Sequence, residues 1–314
     1  MERLKAALDK ARETRAATAA PAPASGARPE PAANPARRGA GQAGAVAGAV
    51  RGPQAAGSGA APSTGPSTGS SGAVEAAWAD IQKSEIDTRR LVKRRLISFG
   101  RQAEATAFDV LRTKVLQLTG ANGWKRVAIT SPLPGSGKTT TSINLAVALA
   151  RQVDLRIILI DLDMRRPAVA RSLGISGKTG VAPVLEGRES FGRQARRLGD
   201  NLAVAMNFAA LRDPSDLFLR ARTSEVLDEI EATYRPDLIL FDMPPLLVND
   251  DASAFLRNVD CALMVAEAGA TTISQVDVCE KELAEQTNVL GVVLNKCRFF
   301  SDGYYRYYYA YGDD

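Results

Sequence analysis

Val127-Ala128-Ile129-Thr130-Ser131-Pro132-Leu133-Pro134-Gly135-Ser136-Gly137-Lys138-Thr139-Thr140 is the stretch that decides the fold. A short β-type run ends in a Gly-rich turn, and a helical pattern over 139–152 follows without a break. A loop placed this way presents backbone N–H groups and a helix N-terminus to phosphate oxygens. Lys138 can reach the outer phosphates and the Thr139 hydroxyl can ligate magnesium. Pro132 occupies the first glycine position of the G-x-x-x-x-G-K-[ST] pattern and has no N–H to offer. The central cradle comes from the Gly135, Ser136, Gly137, Lys138 and Thr139 amides, with Thr140 next, so the proline takes little from it.

Outward from this loop, apolar runs at 127–130, 157–160, 202–206, 238–241, 262–265 and 289–294 alternate with helical patterns at 139–152, 215–232 and 272–286. In the last of these Ile273, Val276, Cys279 and Leu283 share a face. Ahead of the first run, Phe108, Leu111, Val115 and Leu118 have amphipathic helical spacing. Runs that are apolar throughout suit strands buried on both faces, as in a parallel sheet with helical crossovers. The expected fold is α/β, a doubly wound, mostly parallel sheet, with its ligands at the carboxyl ends of the strands.

Those ends carry acids. The second run leads into Asp161-Leu162-Asp163-Met164-Arg165-Arg166-Pro167, and the fourth into Asp242-Met243-Pro244-Pro245. Beside a nucleotide, Asp161 and Asp163 would serve as magnesium ligand and proton acceptor, and Asp242 would hold a metal-bound water. Which of Asp161 and Asp163 is the base stays open. Arg165 and Arg166 suit phosphate or inter-subunit contacts as well as a structural salt bridge; Asn295 and Lys296 suit adenine contact or a turn.

Composition narrows the chemistry. The 314 residues include no histidine, which removes histidine-activated nucleophiles and histidine-bound metals. Three cysteines, at 261, 279 and 297, lie too far apart for a Cys-x-x-Cys pair, so a reducing cytoplasm is expected. A net charge of +5 is too weak to imply nucleic-acid binding. No stretch is apolar enough to cross a membrane. Residues 1–77 read as a disordered Ala/Pro/Gly-rich tether with a short helix at its start, because so few large apolar side chains cannot offset backbone ordering. Residues 78–298 read as the folded domain. Near its start Arg89, Arg90, Lys93, Arg94 and Arg95 form a basic cluster, suited to a solvated helix face, acidic lipid or an acidic partner. Residues 299–314 form a tail in which Tyr304, Tyr305, Tyr307, Tyr308, Tyr309 and Tyr311 are six of the chain's seven tyrosines. Their clustered hydroxyls are candidate phosphate acceptors.

The loop, Ile-Leu-Ile-Asp-Leu-Asp-Met-Arg-Arg-Pro and Phe-Asp-Met-Pro-Pro together resemble the Walker A, A′ and B elements of the bacterial tyrosine kinases of capsule and exopolysaccharide synthesis. Asp213-Pro214-Ser215-Asp216-Leu217, Asn249-Asp250-Asp251-Ala252 and 291–296 agree with them. The resemblance implies a MinD/ParA-like P-loop NTPase fold, ATP and Mg2+ as cofactors, and autophosphorylation of the tyrosine tail between molecules. It further implies a transmembrane polysaccharide co-polymerase (chain-length regulator) as activator, a cognate phosphatase, and recruitment from the cytoplasm to the membrane by that partner. Two departures stand out. Leu133 replaces the signature lysine of the related partition ATPases, which favours the kinase. The family's Glu-x-x-Arg-x-x-Arg assembly helix aligns with Thr106, Asp109 and Arg112, leaving one charge of three. An ATP-binding regulatory module of the polysaccharide machinery without phosphotransfer, and a partition-type ATPase, are the alternatives.

Overall fold

In a computed structural model, residues 68–100 and 105–297 are described. The apolar runs become β1 (Arg126–Thr130), β2 (Ile157–Asp161), β4 (Leu202–Ala205), β5 (Leu238–Asp242), β6 (Cys261–Glu267) and β7 (Asn288–Asn295). With β3 (Arg196–Leu198) they form one sheet in the order β3-β4-β2-β5-β1-β6-β7. Every pairing is parallel except β3–β4. β3 was not expected: three residues, two of them arginines, carry no apolar run.

The helices are α1 (Thr68–Asp80), α2 (Thr88–Lys93), α3 (Thr106–Asn122), α4 (Lys138–Ala150), α5 (Val169–Leu173), α6 (Ala182–Leu185), α7 (Phe191–Gln194), α8 (Pro214–Phe218), α9 (Ala221–Tyr234), α10 (Asp251–Leu256) and α11 (Ile273–Gln286). Alternate strand residues point to opposite faces. Ile158 and Ile160 of β2 therefore join one core with α1 and α9, while Ile157 and Leu159 join a second with α2 to α5. This is the doubly wound arrangement expected.

Three local readings change. The segment expected as one helix over 215–232 is two, α8 and α9, because Arg220 is extended (φ −70°, ψ 139°) and the Thr223 hydroxyl donates to the Leu217 carbonyl at 2.7 Å. In α3, Val115 and Thr119 face inward while Leu118 is exposed, and in α11 Ile273 is exposed while Cys279 and Leu283 are buried. The third concerns the tether. The first described helix begins at Thr68, ahead of the boundary expected at 78, and it carries Val74 and Trp78 into the core. The Trp78 indole N–H donates to the Tyr234 carbonyl at 2.7 Å, and its ring meets the Tyr234 ring edge-on at 6.3 Å. One apolar side chain every turn is enough to dock a small-residue helix that composition alone assigns to a tether. Residues 1–67 lie outside the described residues.

Beyond α1 the chain runs along the open edge of β3, where Ser84 N–H donates to the Arg197 carbonyl and Arg197 N–H to the Gln82 carbonyl, both at 2.9 Å. An edge strand covered in this way no longer templates pairing with other chains. Trp78→Phe keeps the ring but leaves the buried Tyr234 carbonyl without its donor. A loss of about 1–3 kcal/mol is expected, read as a lower denaturation midpoint in urea.

Candidate nucleotide site

The loop between β1 and α4 needs two left-handed residues, and both are glycines, Gly135 at φ 87° and Gly137 at φ 93°. Gly137 is required a second time: a Cβ there would overlap the Asn295 amide. That amide, at the end of β7, donates to the Ser136 carbonyl at 2.9 Å and so latches the last strand onto the loop. Asn295, left open between adenine contact and a turn, is thus a support of the loop backbone. The Ser131 and Ser136 hydroxyls both turn inward onto the Leu133 carbonyl, at 2.8 and 3.0 Å. The Thr140 carbonyl accepts from the Asn144 side chain at 2.8 Å.

Lys138 lies beside the acids that end β2 and β5 and the acid that follows β2. Lys138 is only 6% exposed, and its ammonium stands 3.9 Å from Asp163 Oδ2. Thr139 Oγ1 donates to Asp242 Oδ2 at 2.7 Å, and Ser142 Oγ donates to Asp242 Oδ1 at 3.0 Å. Ser142, one turn into α4, had no sequence signal because its acceptor is a hundred residues away. Asp161 is directly opposite Asp242 in the β2–β5 register and is completely buried. Its Oδ2 accepts from Val169 N–H at 3.3 Å, while its Oδ1 has no hydrogen-bond partner. Asn207, also missed, donates to the Asp161 carbonyl at 2.7 Å and accepts from Val181 N–H at 2.8 Å, fixing the strand end to the following loop.

Electrostatics follow from this packing. Burial lifts the Asp242 carboxyl to about 6 against the opposing pull of the Thr139 hydroxyl and Lys138. Burial, and then the facing Asp242, hold Asp161 well above the ordinary carboxylate range. Burial raises Asp163 as well, with Lys138 opposing. The expectation divides the roles among the three acids: magnesium ligand and proton acceptor for Asp161 and Asp163, a metal-bound water for Asp242. Among the described residues no three acidic or thiol side chains gather around one point. A cation here would draw on Thr139, Asp242 and the orphaned Asp161 Oδ1 and complete its shell from phosphate and water oxygens.

Arg165 is a structural partner. Its Nε and Nη2 grip Asp251 Oδ2 and Oδ1 at 2.5 and 3.1 Å, and Asp213 lies 3.8 Å away. The pair ties the loop carrying Asp163 to the segment that leaves β5. Arg166 is exposed and its backbone N–H closes a turn onto Asp163. Arg165→Ala should lower Tm by several degrees, and more than Asp251→Ala does, because only the first strands a buried carboxylate. Equal losses in thermal melts would refute that asymmetry. On α3, Asp109 accepts from Arg112 at 3.0 Å and from Arg151 at 2.7 Å, so the surviving assembly charge is engaged within the chain; Thr106 opens the helix.

A phosphate-binding loop after β1, an acid at the end of β2 and another at the end of β5 define a P-loop nucleotide-binding protein of the doubly wound class. The chain belongs to the CobQ/CobB/MinD/ParA nucleotide-binding domain family, whose sequence profile matches residues 127–299, and within it to the bacterial tyrosine kinases. Tyrosine-protein kinase YwqD of Bacillus subtilis is 29% identical over 203 residues, covering 64% of this chain and 84% of that protein. AmsA of Erwinia amylovora is 30% identical over 221 residues, 68% of this chain but only 30% of that longer protein. The crystal structure of the VpsO kinase domain superposes with a TM-score of 0.55 at 30% identity, over 62% of this chain and 97% of that domain. No described helix is long and apolar enough to cross a membrane.

Proposed function

We propose that the chain is an ATP:protein-tyrosine phosphotransferase whose acceptors are the tail tyrosines of another copy. The observation that carries this reading is the convergence of Lys138, Thr139, Asp163 and Asp242 on one loop, in a chain whose relatives are named tyrosine kinases. The tyrosine oxygen attacks the γ-phosphorus of ATP, the bond to the bridging oxygen breaks, ADP leaves and the phenolic proton passes to a carboxylate. Asp163 is the better base, because Lys138 beside it favours its ionised form while Asp161 is sealed from the surface. Lys138 and the loop amides neutralise the developing phosphate charge, the main contribution a protein makes to this reaction. Magnesium, held by Thr139 and Asp242 with Asp161 alongside, would supply charge neutralisation at the β and γ oxygens.

The phosphorylated tail would regulate exopolysaccharide or capsule polymerisation and export, under a transmembrane co-polymerase at the cytoplasmic membrane face and opposed by a phosphatase. The six tail tyrosines lie outside the described residues. Incubation of the purified chain with ATP and magnesium should yield phosphotyrosine on peptides from 299–314, and changing all six to Phe should remove it. ATP hydrolysis without phosphotyrosine would favour the partition-type ATPase, and binding without turnover the regulatory module.

A further inference from the structure

Residues 1–67 hold nine Lys/Arg against four Asp/Glu, which is the whole of the +5 charge; the remainder of the chain is balanced. Within that balanced remainder the cluster over 89–95 is the exception, and the structure gives it a fixed shape. Leu91 and Leu96 are buried, 2% and 1% exposed, and pin α2 and the turn after it into the core. Asn144 of α4 donates to the Arg95 carbonyl at 3.0 Å and accepts from Ser98 N–H at 2.9 Å, fastening the same segment to the helix that follows the phosphate loop.

With those anchors inward, Arg89, Arg90, Lys93 and Arg95 point outward and are exposed. Arg94 donates to the Arg171 carbonyl at 2.5 Å, which brings exposed Arg171 of α5 beside the cluster. Asp87 pairs with Arg90 at 3.1 Å; Arg89, Lys93, Arg95 and Arg171 have no ion pair among the described residues. Four exposed cations without ion pairs on one buttressed face leave a field directed outward.

We propose that the face formed by Arg89, Arg90, Lys93, Arg95 and Arg171 docks directly on an anionic lipid surface. Among the described residues no large apolar side chain of 85–96 or 169–173 is exposed, so the face offers charge without the apolar anchors of a protein interface. The stretch 85–96 has no aromatic side chain on which a nucleic-acid base could stack. The excess charge of residues 1–67 adds to the same attraction, since two basic segments on one chain act together on a surface. This contact is independent of phosphoryl transfer and of any protein partner.

The test uses the full chain carrying Arg89→Gln, Lys93→Gln and Arg95→Asn together, the last chosen because Arg95 is at φ 64°, which asparagine tolerates. Co-sedimentation is measured with vesicles of phosphatidylcholine alone and with about one-third phosphatidylglycerol, where each removed cation should weaken partitioning roughly fivefold, about 100-fold for three. Wild-type binding that needs the anionic lipid, falls with salt and drops by that order in the triple variant supports the proposal. Equal binding of variant and wild type would assign the attraction to residues 1–67 and overturn it. So would absence of wild-type binding at low salt, or tighter binding to duplex DNA than to the vesicles. ATP turnover should be unchanged in the variant, which shows that it folds.

Discussion

Lys138→Met is expected to abolish tail phosphotyrosine, with a fall of at least about 10³-fold in transfer rate, as for loss of a preorganised charge at a phosphoryl-transfer centre. The geometry explains why so large an effect comes with an intact fold. Lys138 is nearly fully buried and its stem packs like the methionine that replaces it, so little volume is lost. What disappears is the only cation within 4 Å of Asp163 among the described residues, at 3.9 Å. Its attraction helps to hold both Asp163 and Asp242 toward the ionised form. The variant should therefore bind ADP more weakly and present a proton acceptor that is less often ionised. A variant that melts like wild type and still labels its tail normally would remove Lys138 from the mechanism.

How much of this site the sequence displayed depends on the range of each interaction. The phosphate loop, the acids at 161, 163 and 242 and the sheet they end were legible, because each rests on a local pattern: an apolar run, a turn residue, a helix start. The supports were not. Ser142 meets Asp242, Arg165 meets Asp251, Asn295 meets Ser136 and Asn207 meets Asp161, all partners far apart in the chain. A serine inside a helix or an asparagine after a strand carries no local mark of the group it will reach. β3 was hidden for a related reason, since two arginines and a leucine become a strand only by pairing with β4 and residues 82–84.

The composition was most misleading at α1. Ala, Gly and Ser around Val74 and Trp78 look like the preceding tether, yet one indole seated against Tyr234 and its neighbours is enough to recruit the helix to the core. Truncation at 77, the boundary that composition suggests, would therefore cut into the fold and not merely remove a linker. Any study of the N-terminal segment should stop at or before residue 67.

Asp161→Asn is expected to destroy transfer and yet stabilise the cation-free protein. Asp161 is sealed against Asp242 with one oxygen unpartnered, and both carboxyls are raised, Asp242 to about 6. An unfolded aspartate titrates near about 3.9, so between that value and the raised folded values the native state binds more protons than the unfolded one. Stability is then fully present below about pH 4 and is lost as pH rises through about 6, the reverse of an ordinary salt-bridged aspartate. In chelator, wild type should therefore melt higher at pH 5.5 than at pH 7.5. Magnesium with ADP should recover more at pH 7.5, where the carboxylates are ionised and need a cation. Replacing Asp161 by its neutral isostere removes one of the two charges, for a gain of about 1–3 kcal/mol at pH 7.5, which for a domain of this size is roughly 2–10 °C in Tm. Loss of the same charge should cut phosphotransfer by at least about 100-fold. A variant that melts no higher than wild type at pH 7.5 in chelator, or a wild type whose melting is flat between the two pH values, would show that the carboxylate pair is not strained. The opposed outcomes share one cause: a site preorganised for a divalent cation and a nucleotide is destabilising to the fold until they arrive.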